Sequence, residues 1–67
     1  MLKRYALLKL GGGANMVMLD TSCPVTKEQA IRYFRQQVKG IDLDDEGYWK
    51  NPHHPEITFC VAEYFSS

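Results

Sequence analysis

Cysteine is scarce in this chain: Cys23 and Cys60 are the only two among 67 residues. That excludes the disulfide framework on which small secreted domains rely. Two reduced thiols are the reading that fits best, with a single bridge as the alternative. Long apolar runs are lacking too, and none approaches the roughly 18 residues that a membrane span needs. The opening Met-Leu-Lys-Arg-Tyr enters a strand-like pattern too early for a signal peptide, so the expected location is cytoplasmic. Excess charge of one sign is missing: Lys plus Arg total 8 and Asp plus Glu total 8. A neutral balance argues against a general binder of nucleic acid or membrane surface, which carries a basic excess. Repeats, linkers and low-complexity segments are also absent, and residues 1–67 read as a single domain.

The best-marked element runs from Val25 to Gly40. Thr26 can cap a helix and Gln29, three residues on, can return the bond, which makes a capping box; Val25 opposite Ala30 supplies a hydrophobic staple. Ala30, Ile31, Phe34 and Val38 form one apolar stripe at helical period, while Glu28, Arg32, Arg35, Gln36 and Lys39 occupy the other face. Glu28 precedes Arg32 by one turn, the favourable order for a pair contributing about 0.3 kcal/mol. Gly40 can take the left-handed conformation that closes a helix. A helix over roughly residues 27–39 is marginal alone in water, so its stripe must dock on an apolar surface.

Strands supply that surface. Leu2–Leu10 alternates, with Leu2, Arg4, Ala6, Leu8 and Leu10 on one side and Lys3, Tyr5, Leu7 and Lys9 on the other; the first set reads as the core face and the second as the wetter one. Gly11-Gly12-Gly13 is a hairpin tip. Asn15–Asp20 is apolar on both faces, as a central strand is. Ile41–Glu46 is acidic and alternates, which fits a brief edge strand or an ordered loop. Asn51-Pro52-His53-His54-Pro55 is rigid turn chemistry. Glu56–Phe65 is the clearest strand, with Tyr64 and Phe65 as an aromatic end and Ser66-Ser67 as a fraying tail. The fold class is α+β: a small antiparallel sheet of three to four strands in the order β-β-α-(β)-β, with one helix packed on one face.

Chemical constellations are weak. Asp42, Asp44, Glu46 and Gly47 match the start of a calcium loop, but His53 stands at position 12, where a bidentate Glu belongs. Adjacent His53 and His54 project apart and neither cysteine sits in a C-x-x-C pair, so no zinc spacing exists. The glycine tip joins two strands and lacks the Lys of a phosphate loop. Cys60 with a histidine is the only pair that could act in nucleophilic catalysis, and so short a chain offers little room for a substrate pocket of ~300 Å³. The expectation is a protein with no catalytic residue, metal or cofactor.

Two features point to binding instead. Basic Arg32, Arg35 and Lys39 on the outer helix are followed at once by Asp44, Asp45 and Glu46, a segregation that steers a charged protein partner. Aromatic residues are plentiful for the size, and Tyr48 and Trp49 beside the acidic loop are the expected hot spot. These eight residues are the candidate partner-binding set. The general type, one short domain with a sheet under one helix, mixed charge and no catalytic set, is similar to many small proteins of phages and mobile elements, including inhibitors of bacterial defence systems. The likeness is one of architecture and implies a non-enzymatic inhibitor that covers a host protein's surface. The alternative is a nucleic-acid-binding accessory protein using Lys3, Tyr5 and Lys9 on the sheet or the basic helix face. A third reading is a homodimer through an edge strand, with Ile57–Phe65 as the strand that seeks a partner.

Overall fold

The computed structural model describes residues 2–64. Phe65, Ser66 and Ser67, expected as the end of the aromatic segment and its tail, lie outside the described residues, as does Met1. Four strands and a helix follow one another as β1 (Tyr5–Leu10), β2 (Met16–Asp20), α1 (Lys27–Gln37), β3 (Tyr48–Lys50) and β4 (Thr58–Glu63). The strands form one antiparallel sheet in the order β2-β1-β4-β3, so the α+β class is observed.

The helix forms where its caps place it. Thr26 Oγ1 accepts from the Gln29 N–H at 3.1 Å, and the Gln29 side chain accepts from the Thr26 N–H at 2.9 Å. Both orphan donors are thereby satisfied. The helix ends at Gln37, two residues before the expected end, because Val38 is already extended (φ −117°). Gly40 is left-handed (φ 90°) but stands beyond the cap. Ala30, Ile31 and Phe34 are buried, and Val38 and Val25 pack at the margin of the core. Phe34 is fully buried, which stabilises the fold by about 2–3 kcal/mol relative to exposure.

β1 reads Tyr-Ala-Leu-Leu-Lys-Leu, a composition that favours helix more than strand. It is extended because it lies between β2 and β4 and pairs with both; cross-strand packing overrides intrinsic preference. The expected orientation of this strand is reversed. Tyr5 and Leu7 join Phe59, Val61 and the helix in the core, and Ala6, Leu8 and Leu10 face away from it. Both sides of β1 are apolar, so alternation by itself does not select the covered one.

Two further corrections concern position in the sheet. β2, apolar on both faces and expected at the centre, is an edge strand. The last strand, expected to seek a partner from an edge, is interior and paired on both sides. Of the two readings of the acidic segment Ile41–Glu46, the ordered loop is the one observed, and the short edge strand is Tyr48–Lys50.

Other tight contacts fix the loops. The three glycines do join β1 to β2, all with positive φ. Gly11 is constrained most: a Cβ there would lie 1.9 Å from the carbonyl oxygen of Glu56. Beyond β2, Thr21 Oγ1 accepts from the Tyr5 N–H and donates to the Cys23 carbonyl, which satisfies a buried hydroxyl. Lys3 and Val25 then exchange two backbone bonds of 2.9 and 2.8 Å, and these bring the chain to the helix start.

Candidate functional site

The eight candidate residues do not form one surface. Tyr48 and Trp49 are neighbours in β3 and therefore point to opposite faces of the sheet. Trp49 turns inward, half-buried, and meets Phe59 at the margin of the core with ring centroids 5.8 Å apart. Tyr48 turns to the uncovered face and is 51 % exposed.

Two of the charged candidates serve the loop after the helix. Arg35 Nε donates to the Leu43 carbonyl at 2.8 Å, and its guanidinium approaches Asp45 at 3.7 Å. Leu43 is almost fully buried; the arginine thus pins a loop whose apolar anchor sits under the helix. Asp44 Oδ1 accepts from the backbone N–H groups of Tyr48 and Glu46, both at 2.9 Å. Those bonds, Tyr48's first, hold its carboxyl below the usual carboxylate range, because they favour the ionised form. The acid that resembled a calcium ligand is a turn former. Among the described residues no group of three His, Cys, Asp or Glu side chains is placed to hold a metal ion.

Arg32, Lys39, Asp45 and Glu46 remain exposed. Arg32, Arg35 and Asp45, with Glu28 and Ile31, line an open depression of about 380 Å³ beside the helix. Its charges are of both signs, two acids against two arginines, so it has no strong preference for an anion or a cation. Cys23 is exposed and Cys60 buried, and both are free thiols; burial pushes the Cys60 thiol up.

The most distinctive surface was missed because it depends on which side of the sheet the helix takes. α1 covers the face that carries Tyr5, Leu7, Phe59 and Val61. The pairing places Leu8 beside Cys60 and Val17, and Cys60 beside Tyr48. Leu8, Leu10, Val17 and Tyr48 therefore share the other face, over which no helix or second sheet lies among the described residues. Ala6 and Cys60 are buried there because they are short and flanked by longer side chains. Arg4 and Tyr64 close one end, with the guanidinium 5.0 Å from the ring centroid, and Lys50 lies at the other. The centre is thus apolar and the rim polar, the anatomy of a protein interface. The signal legible in sequence was that β1 is apolar on both sides, which a strand covered on one face does not require.

Lys3, just before β1, donates to Glu63 Oε1 at the end of β4 at 2.7 Å, and that bond holds its ammonium above the ordinary lysine range. No helix among the described residues is long and apolar enough to cross a membrane. Comparison with family models, with curated proteins and with solved structures finds no match to this chain.

Proposed function

We propose that this protein is a non-enzymatic protein-binding module that acts by covering a partner protein's surface with the open face of its sheet. The observation that carries this reading is the apolar centre of that face, Leu8, Leu10, Val17 and Tyr48, over which no helix or second sheet lies among the described residues. A sheet buries both faces when both are apolar; here the second cover comes from outside the chain. The occupant is a protein with an apolar, polar-rimmed patch of its own. Occupancy of this kind blocks whatever the covered surface does, which is the inhibitory role anticipated for a small protein of a phage or mobile element. Arg32, Lys39, Asp45 and Glu46 lie elsewhere and serve to steer the encounter.

The test is capture from a native host lysate. The wild-type chain retains a specific partner. Leu10→Asp/Tyr48→Asp loses it, and Arg32→Glu/Lys39→Glu retains it with slower association at low salt. Retention of every specific partner by Leu10→Asp/Tyr48→Asp at wild-type affinity overturns the reading.

One observation favours a second reading. Tyr48 and Tyr64 are exposed aromatics on the same face as Arg4 and Lys50, and aromatics beside cations on an open sheet can stack single-stranded bases. The earlier trio is not available for this: Tyr5 is buried, and Lys3 is engaged with Glu63. The zero net charge weighs against this reading. Titration with single-stranded oligonucleotides at rising salt decides it, since nucleic-acid binding weakens steeply as salt rises.

A further inference from the structure

We infer that two copies of this chain pair through the outer edges of their β2 strands, antiparallel about a two-fold axis, to make one continuous eight-stranded sheet. The two edges of the sheet are treated differently by the sequence. β3 is three residues long, contains Lys50 and is followed within two residues by Pro52. Short length, lysine and proline are the usual guards against strand addition. β2 has no lysine, arginine or proline, and its only charge is Asp20 at its end. Met16, Val17 and Met18 are 51, 51 and 42 % exposed.

That composition suits an interior strand, and pairing with a second β2 makes it one. A bulge at Met18, where Leu7 pairs with Leu19 but Leu8 with Val17, is the guard this edge does carry, and it bends the strand without adding a charge or removing a backbone donor. Nothing electrostatic opposes the pairing, because the chain's formal net charge is zero and near-neutral chains do not repel one another. A second copy also matches by symmetry: an antiparallel pair about a two-fold presents the same apolar run from both sides.

Area argues for the same occupant. Four strands at ~4.8 Å spacing and about 20 Å of strand length give an open face of roughly 380 Å² in outline. Side-chain relief raises the accessible area, but one copy stays near or below the roughly 800 Å² per partner of a standard interface. Edge pairing sets two open faces side by side and doubles it. The composition of the edge carries the inference by itself; only the area argument rests on the partner-binding reading, and the variants below separate the two.

Sedimentation equilibrium of the full chain from about 1 µM to 1 mM is the first measurement, with backbone hydrogen exchange at the two extremes of concentration as the second. The expected result is a monomer–dimer equilibrium, with protection of residues 16–20 rising with concentration and that of residues 48–50 unchanged. Met16→Lys/Met18→Lys weakens dimerisation at least about tenfold, as edge lysines do; Tyr48→Asp, on the open face, leaves it unchanged. A monomer at every concentration overturns the inference. So does protection that rises in residues 48–50 instead, or a dimer lost in Tyr48→Asp and kept in the lysine variant, which would mean that copies meet face to face.

Discussion

Leu43→Ala is the most informative single change to the fold. Leu43 belongs to no helix or strand, yet it is 1 % exposed and, with Leu7 and Phe34, is among the three largest fully buried side chains. Truncating a leucine so placed costs about 3–5 kcal/mol, the sum of lost burial and the cavity left behind. A domain of 67 residues has a total stability of about 3–10 kcal/mol at ~0.05–0.15 kcal/mol per residue. The substitution therefore removes a third of the stability or more. With a urea slope near 1 kcal/mol per M for so small a chain, the midpoint falls by about 3–5 M. Circular dichroism during urea unfolding reads this directly, at about 1 µM protein so that association does not add stability. Leu2→Ala, at an exposed position, is the control and shifts stability by less than about 0.5 kcal/mol. A Leu43→Ala loss below about 1 kcal/mol would refute the idea that the loop after the helix is part of the core.

Other outcomes follow from the same contacts. Gly11→Ala, whose new methyl meets the Glu56 carbonyl, destabilises more than Gly13→Ala, which has open space but the same positive φ and costs about 1–2 kcal/mol; equal costs in urea unfolding would dismiss the close approach. Asp44 titrates below the ordinary carboxylate range because it accepts backbone N–H bonds. Its folded pKa is depressed, so its contribution to stability is complete above about pH 4, the ordinary aspartate value, and is lost as pH falls through the lower folded pKa; in Asp44→Asn the stability-versus-pH curve flattens in that acid window, and an unchanged curve counts against the assignment. Thiol titration of the native protein at mildly alkaline pH modifies Cys23 promptly and Cys60 only on unfolding; equal rates contradict the burial of Cys60.

The parts of the fold that were legible in sequence are those set locally. Thr26 and Gln29 mark the helix start with their own side chains, and Ala30, Ile31 and Phe34 mark its buried stripe. The glycine tip and the last strand declare themselves by composition. Strand order and the covered face were not legible, for a common reason. Tyr5 and Leu7 are as apolar as Ala6 and Leu8, so only the side on which the distant helix lands distinguishes them. β2 looks central because its neighbours are not written in it. The candidate site suffered from the same limit. Tyr48 and Trp49 were adjacent in sequence but fall on opposite faces, and the charges of Arg35 and Asp44 are engaged in shaping the loop. Leu43 gave a weak hint, an apolar residue among acids, and its carbonyl became the acceptor for Arg35.

The pairing of β1 with β4, Tyr5 opposite Glu63, makes the middle of the sheet a meeting of segments remote along the polypeptide. Such contacts are slow to form, because chain entropy must be surrendered before any of them rewards the search. During synthesis the β1–β2 hairpin emerges first and waits with one flank bare, and a two-stranded ribbon is marginal in water. A ribosome stalled before residue 58 should therefore hold a protease-sensitive chain, and resistance should arrive abruptly once β4 clears the exit tunnel.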